Sequence, residues 1–548
     1  MSAITHGQGN ERDAETNKNT RIVITTDLER CAQPFVTTSA VPSTPLSSPI
    51  SSDLAEWHAS PSNPLNWPQS RKWLTTILFS SLTFNTLMTS TMVIPALPQI
   101  THDLHIPLEA RTQMILSIFP LAYVGGFFLW APLSELYGRL PILHIAGIWF
   151  VTWNTLCGFA KGEALIVTSR LLSGAGAASA LAVSPGVVGD IWHVEQRGRS
   201  LAILSAVSLL GPSIGPILGG LVASQGQNTW RWAFWSTSVL QAVLQLLAAM
   251  VLKESHVPTV MRHSTSIRNS TNHAQCRPAG CQRVARTLRT ALNRPFHLFL
   301  TQPVLICLTL YTGLAFGILY LVLSTVSDAF QQTYNQSLSI SSLNFLSFGI
   351  GMTVGAQLGA LYMDRMYKRH RQKCIQVDAH DEKLSNVTTK PSPEVRLAPF
   401  IPAILITAVG ALIYGWTLRF RVHWIGPNIG LALFGAGNQA MTQCTNAYVL
   451  DSFSTVRDRN SVLTINQGGT TVDGITLNMS ASAMCTIWAA KAIGGFACPL
   501  AAPVMLRVLG WGWSSTVVAV CIIVIGVPAA GLLAHKGSAW REKAKEKI

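Results

Sequence analysis

The segment "SLLGPSIGPILGGLVA" at residues 208–223 decides the architecture. It is an apolar run in which glycines recur every four residues and therefore line one face of a helix. Two prolines remove backbone hydrogen bonds and bend that helix. The motif residues are Gly211, Pro212, Gly215, Pro216, Gly219 and Gly220. They predict a helix that packs tightly inside a transmembrane bundle, with a role in coupling or in packing alone.

The composition of the whole chain is that of a membrane protein. Of its 548 residues, 49% are hydrophobic, and the mean hydropathy is +0.33. Only 12% are charged, against about 25% in a soluble domain. These values exclude a disordered chain, a coiled coil and a conventional cytosolic enzyme. The ten cysteines are scattered and form no disulfide framework, and the loosely spaced pair Cys276 and Cys281 is a weak zinc candidate.

Apolar runs of about 20 residues, long enough to cross a bilayer as helices, divide the chain. Twelve such spans are predicted, at residues 73–95, 114–134, 141–160, 164–189, 200–222, 232–252, 302–326, 341–363, 398–418, 427–450, 482–506 and 513–535. The resulting organisation is a disordered cytosolic tail (1–70), an N-terminal six-helix half (71–252), a basic cytosolic central loop (253–300), a C-terminal six-helix half (301–535) and a cytosolic C-terminal tail (536–548).

The basic residues indicate the orientation. Apart from the two terminal segments, the loops on the side of the termini carry 21 Lys and Arg residues, and the opposite loops carry six. Positive loops stay in the cytosol, so both termini are predicted to be cytosolic. The net charge of +15 is thus a topology signal, and no nucleic-acid partner is expected.

Two further motifs place charges at or inside the helices. The loop "APLSELYGRLPIL" (131–143) contains Glu135, Gly138 and Arg139, whose charges suit a cytosolic latch; Arg139 merely obeying the positive-inside rule is the alternative. Arg170 lies within or near the end of the fourth span. A central arginine costs about 2.5–3.5 kcal/mol on insertion scales, so it should face polar partners inside the bundle unless it snorkels to the surface.

Together these motifs resemble three successive signatures of the major facilitator superfamily. "NPLNWPQSRKW" (63–73) and "WRWAFW" (230–235) are similar to sequences of its fungal twelve-span drug:proton antiporters. The resemblance covers residues 63–535 and implies an all-α integral membrane protein with the major facilitator fold, twelve transmembrane helices in two six-helix halves. It is weaker in the second half, where Asp364-Arg365 follows the eighth span at the place of the first loop motif.

The resemblance also implies residue roles. Glu135, Gly138, Arg139, Asp364 and Arg365 would belong to gating loops, Arg170 would support proton coupling, and residues 211–220 would be the antiporter motif. Lys491 in the eleventh span stands where the family commonly has arginine, which keeps the charge but loses the planar fork. Candidate substrate-cavity residues, with helix packing as the alternative for each, are Asn85, Tyr123, Tyr311, Tyr320, Asn344, Asn438, Gln439 and Lys491.

The predicted function is proton-coupled efflux of small lipophilic or amphipathic organic molecules, such as a fungal secondary metabolite, toxin or drug, by alternating access. The alternatives are a non-transporting sensor or receptor of the same fold and a polyamine exporter, although dications would need more carboxylates in the spans. Nucleotide-binding, zinc-protease and hydrolase motifs are absent from the sequence, so no enzyme, cofactor or metal site is expected. The expected partners are membrane lipid, protons and a small-molecule substrate, for a monomer in the plasma membrane.

Two segments carry separate predictions. Asn335 heads a glycosylation sequon in a short outer loop. Residues 461–481 ("SVLTINQGGTTVDGITLNMSA") are polar, rich in Gly and Thr, and lack helical periodicity. They are interpreted either as a cytosolic loop that extends the gate or as a translated intron. The intron interpretation is favoured, because removal would preserve the frame, and transcript sequencing decides between the two.

Overall fold

A computed structural model describes residue 60 and residues 63–106, 109–256, 259–260, 289, 297–380, 393–454 and 479–546. Almost all of the predicted N-terminal tail, most of the central loop and residues 461–478 therefore lie outside the described residues, as do Cys276 and Cys281. Within the described ranges the chain is helical and contains no strand. The predicted all-α membrane architecture is confirmed.

The helices follow the predicted order, and several are broken once. They are α1 (Gln69–Thr91, continued by Leu97–Asp103), α2 (Glu109–Leu121 and Tyr123–Tyr137), α3 (Arg139–Gly158), α4 (Glu163–Ile191), α5 (Val194–Leu209 and Gly211–Ala223), α6 (Arg231–Val251), α7 (Pro303–Tyr334), α8 (Leu338–Leu343 and Phe345–His380), α9 (Phe400–Arg419), α10 (Ile425–Ser454), and α11 and α12, which are the parts of Met479–Glu546 before and after Gly510.

Prolines explain two of the breaks. Pro95 lies in the 3₁₀ turn that interrupts α1, and Pro212 follows the break in α5. Each lacks the backbone N–H that a continuous helix would need. Gly510 separates α11 from α12 with a φ of 68°, a left-handed conformation that glycine adopts without steric cost.

Ten of the described segments are long and apolar enough to cross a membrane. One of them, Ala483–Trp540, has 58 residues and contains the Gly510 turn, so it holds two crossings. The 30-residue helix α10 supplies another crossing by its length and place, although it is not among these ten. The described helices are thus consistent with twelve.

Two helices continue more than ten residues past their predicted ends. Predicted to end at residue 363, α8 runs to His380, while α12 runs past residue 535 to Glu546. The added turns are rich in Lys, Arg, Gln and Glu, which favour helix in water as well as in lipid. Hydropathy reports only the lipid-embedded part of such a helix.

The two halves share a large core cluster at one end of the bundle and a smaller one, which includes Phe127 and Ala492, further along it. We call the end where α1 begins the base and the end where α1 finishes the top. The largest apolar cluster combines the second half with residues from the top of the first half, such as Ile100, Ile115 and Trp230. A second cluster at the base, built around Trp67, Val187 and Leu252, contains residues of the first half only. The halves are therefore packed together most closely toward the top.

Candidate transport and gating sites

Arg170 is enclosed by the first half. Its side chain is 0% exposed, and its guanidinium donates only to backbone carbonyl oxygens in the described part of the chain. The acceptors are Ile115 O on α2 at 3.2 Å, Thr89 O on α1 at 3.3 Å and Ser90 O on α1 at 3.5 Å. The ring of Phe119 lies 4.3 Å from the guanidinium carbon and that of Phe234 lies 5.7 Å away. The side chain therefore does not snorkel, as the alternative interpretation would require.

Small residues on α4 allow this burial. A Cβ atom added to Gly174 would lie 2.9 Å from the Cβ of Ala122 on α2, and one added to Gly176 would lie 2.9 Å from Phe150 N on α3. Helices α2 and α3 therefore both pack directly against the backbone of α4. No carboxylate forms an ion pair with Arg170 among the described residues, so carbonyl dipoles and ring faces are what stabilise its charge.

The glycine motif of α5 lies against α1. Cβ atoms added to Gly211 and Gly215 would lie 2.7 Å from Phe84 O and 2.6 Å from Met88 O. One added to Gly219 would lie even closer to the next carbonyl of the same row, that of Met92. Glycines spaced by four thus meet carbonyls spaced by four, and any side chain would separate the two helices.

The same helix also reaches the second half. A Cβ atom added to Gly220, which follows Gly219, would clash with the side chain of Ser342 at the start of α8. The hydroxyl of Tyr320 on α7 lies 2.6 Å from that of Ser90 on α1 in a further contact between the halves. The motif therefore holds α5 between its own half and the opposite one.

At the base, the loop between α2 and α3 is held by an ion pair, a side-chain hydrogen bond and a helix cap. Gly138 has a φ of 103°, which disfavours other residues. The guanidinium of Arg139 donates to Asp190 at the end of α4 (3.4 Å) and to Ser134 (2.9 Å). It lies across Gly186, where an added Cβ would be 2.9 Å from Nη2. This geometry matches a latch between α3 and α4.

Glu254, which follows α6, completes this latch. Its Oε1 accepts the Arg139 N–H at 2.9 Å and its Oε2 accepts the Leu140 N–H at 3.1 Å, so the carboxylate caps the first turn of α3. The predicted gating residue Glu135 lies within electrostatic reach of Cys485 on α11. Sequence reasoning missed Glu254 and Asp190, and the position of each at a helix end next to the basic loop was the available signal.

The second half has an equivalent latch with a different arginine. Arg396, just before α9, pairs with Asp451 at the end of α10 (2.8 Å) and with Asp364 (3.5 Å). Its guanidinium carbon lies 4.3 Å from the ring of Tyr367. Asp364 thus lies in a charge cluster as expected, but the arginine that faces it is Arg396, and its neighbour Arg365 is exposed.

The comparisons with known proteins agree with this architecture. Residues 79–472, more than half of the chain, match the family model of the Major Facilitator Superfamily. This chain belongs to the major facilitator superfamily. It is 31% identical over 487 residues to the efflux pump vrtL of Penicillium aethiopicum, covering 88% of this chain and 89% of that one. It is 29% identical over 500 residues to the MFS-type transporter oryF of Aspergillus oryzae, covering 90% and 95%.

A solved major facilitator structure shows the same fold. The xylose transporter XylE of E. coli, in a partially occluded inward open conformation, superposes with a TM-score of 0.57 at 14% identity, covering 85% of this chain and 97% of that one. The relatives and the fold are those of transporters and not of enzymes. Among the described residues, no three His, Cys, Asp or Glu side chains come close enough together to hold a metal ion.

Within this facilitator, the predicted cavity residues fall into two groups. Tyr123, Tyr320 and Lys491 lie on α2, α7 and α11, which meet between the halves. The others lie within one half. In the first half, Asn85 donates to Gln241 on α6. In the second half, Asn344 donates to Gln336 and accepts from Asn428, and Tyr311 packs on Phe400. Also in that half, Asn438 donates to Ala315 O, and Gln439 is buried on α10.

Proposed function

We propose that this facilitator exports small lipophilic or amphipathic organic molecules, such as a fungal secondary metabolite, toxin or drug, in exchange for protons. The observation that carries the proposal is Arg170, a fully buried cation whose only described hydrogen-bond acceptors are carbonyls of α1 and α2. The names of similar fungal proteins, which include efflux pumps, support the outward direction. The scarcity of interior carboxylates disfavours the polyamine alternative.

Ser90 links that charge to the contact between the halves. Its carbonyl accepts from Arg170, and its hydroxyl lies 2.6 Å from the hydroxyl of Tyr320 in the opposite half. Alternating access requires such contacts to break and re-form as the halves rock. A change of charge near Arg170 would therefore alter the contact between Ser90 and Tyr320, which must open during each transport cycle.

The test uses the purified full chain in proteoliposomes. Uptake of neutral 1-naphthylacetamide is followed with and without a pH gradient. Arg170→Ala should lose the gradient-driven component while still folding and inserting, and Arg170→Lys should recover part of it. The control is Arg111→Ala, since Arg111 pairs at 3.2 Å with Glu163 at the exposed top. Gradient-driven uptake by Arg170→Ala would refute the coupling role. If wild-type proteoliposomes preloaded with unlabelled 1-naphthylacetamide show binding of the labelled amide but no counterflow of it, the sensor alternative is favoured.

We also propose a plasma-membrane location with both termini in the cytosol, so that the base faces the cytosol. The support is the excess of basic residues in the loops at the base. In a chain without its native cysteines, Tyr334→Cys at the end of α7 should react with an impermeant maleimide added to intact cells, and Gln275→Cys should not. The reverse pattern would overturn this topology. In the proposed topology Asn335 lies outside, and Asn269 and Asn386, which lie in cytosolic loops, should stay free of glycan.

A further inference from the structure

A second buried cation lies in the other half of the bundle. Lys491 is 2% exposed, near the middle of α11, and its Nζ atom lies 4.8 Å from the centroid of the Trp488 ring. In the described part of the chain, no carboxylate forms an ion pair with it. A buried ammonium group without a counter-charge is unfavourable, so a position of this kind marks a functional site by default.

A continuous row of aromatic rings connects the two cations. It begins at Arg170, whose guanidinium lies on the first ring, and it ends at Lys491, whose ammonium faces the last. The rings are Phe119, Tyr123 and Phe127 on α2 and Trp488 on α11, with successive centroids 5.6, 6.4 and 5.3 Å apart. Phe127 and Trp488 are stacked at an interplanar angle of 27°.

This row crosses from one half to the other. Because α2 belongs to the first half and α11 to the second, the stack of Phe127 on Trp488 must separate when the halves move apart. Gly495, one turn after Lys491, lies on the same face of α11. A Cβ atom added there would be 3.2 Å from the ring of Phe316 and 3.8 Å from that of Tyr320, both on α7. Lys491 therefore lies where α2, α7 and α11 converge.

The charged groups at the two ends of the row, Arg170 and Lys491, are both cations. The carboxylate of Asp328, near the end of α7, lies within electrostatic reach of Tyr414 on α9 inside the second half, and that of Glu135 reaches Cys485 on α11 nearer the base. The hydroxyl of Tyr123 is buried and lies close to that of Ser90. The junction thus combines a cation, a buried hydroxyl and flat apolar surfaces.

We propose that the transported substrate is an aromatic organic anion, a carboxylate or a phenolate, whose charge pairs with Lys491 while its ring packs against Trp488 and Phe127. This inference rests on the proposed efflux function and specifies its substrate class. The ammonium offers three N–H donors, and charge-assisted hydrogen bonds to an oxyanion are stronger than neutral ones. A cationic ligand would meet repulsion at the same place.

Three probes that share one ring and differ in charge test the proposal: 1-naphthylacetate, 1-naphthylacetamide and 2-(1-naphthyl)ethylammonium. Binding to the purified full chain is measured without a gradient. The wild type should bind the anion about tenfold more tightly than the amide, a difference of about 1.4 kcal/mol, and bind the cation least. Lys491→Gln should remove this preference, and Lys491→Arg should keep it.

The chain offers a matched control. Lys72 is also 2% exposed and lies 5.6 Å from a tryptophan ring, but its ammonium already donates to Leu65 O at 2.7 Å. Lys72→Gln should therefore leave the anion preference unchanged. Equal binding of the probes, tighter binding of the cation, binding of none of them, or an unchanged preference in Lys491→Gln would each overturn the proposal.

A transport measurement on the same samples separates this inference from the proposed function. Selective binding of the anion without gradient-driven flux would refute proton coupling and leave the substrate class standing. Gradient-driven flux of all three probes at equal rates would refute the substrate class and leave the coupled transport standing.

Discussion

Removal of the Glu254 carboxylate should loosen the gating loop by a measurable amount. In Glu254→Ala the amides of Arg139 and Leu140 lose acceptors at 2.9 and 3.1 Å. Loss of a helix N-cap costs about 0.5–2 kcal/mol, and loss of a negative charge at a helix N-terminus costs about 0.3–1 kcal/mol. The free energy of opening of the first turn of α3 should therefore fall by about 1–2 kcal/mol, which corresponds to faster amide exchange by on the order of tenfold.

Hydrogen exchange measured by mass spectrometry on the full chain in nanodiscs reads this directly. Peptides that contain residues 138–140 should exchange faster in Glu254→Ala, and less so in Glu254→Gln, which keeps one acceptor oxygen. The control is Glu163→Ala, which removes a carboxylate from the first turn of α4 and breaks the 3.2 Å pair with Arg111. That variant should leave residues 138–140 unchanged.

The reasoning fails if exchange at residues 138–140 in Glu254→Ala equals that of the wild type. It also fails if exchange rises equally along all helices, because the carboxylate would then stabilise the whole bundle and not the loop. Oε1 of Glu254 accepts the backbone N–H of Arg139 and also those of Ser255 and His256, at 3.0 and 2.9 Å, so it ties the start of α3 to the segment after α6. A local rise in exchange together with slower efflux would therefore place Glu254 among the residues that position the gate.

Two further substitutions follow from the contacts at α5 and α9. Gly215→Val places a branched side chain where even a Cβ atom would lie 2.6 Å from Met88 O, so efflux of 1-naphthylacetamide should fall by about tenfold or more with the protein still inserted. The control is Gly125→Val, at a site where no neighbouring described atom lies within 4 Å of the added Cβ. Equal efflux by the two variants would show that the glycine motif has no part in the mechanism. Arg396→Ala breaks the 2.8 Å ion pair with Asp451 and should slow efflux more than Arg365→Ala does. The opposite order would show that Arg365, and not Arg396, is the functional arginine of the second gating loop.

Much of the fold was predictable because the lipid bilayer acts on single residues. Every apolar run long enough to span the hydrocarbon forms a helix, and the glycines of α5 predict close contact before any partner is known. The burial of Arg170 was predictable for the same reason, since a guanidinium within an apolar run must find acceptors inside the protein. These inferences need only local sequence and a uniform solvent.

Partners that are distant in sequence were not predictable in this way. Nothing in the sequence around Gly215 shows that it meets Met88, and nothing around Trp488 shows that it stacks on Phe127. The ion pair of Arg396 was hidden because 31 residues separate it from Asp364, just as 50 residues separate Arg139 from its partner Asp190. A motif search therefore selected the adjacent Arg365, and only the packing of α8, α9 and α10 identified the true partner.

The bases of the two halves are built alike, with one pair of residues exchanged. In the first half, Gly138 precedes α3 and faces Glu254, which follows α6, with 2.6 Å between its added Cβ and the carboxylate. In the second half, Glu394 precedes α9 and faces Gly537 near the end of α12, with a corresponding distance of 3.2 Å. Arg139 follows directly after Gly138 and pairs with Asp190 at the end of α4. Arg396 lies two residues after Glu394 and pairs with Asp451 at the end of α10. The contact between a carboxylate and a glycine is thus present in both halves, while the residue that supplies each side is reversed. Alignment of the two halves position by position would pair glycine with glutamate and discard both, which is why this symmetry is visible in the contacts and absent from the motifs.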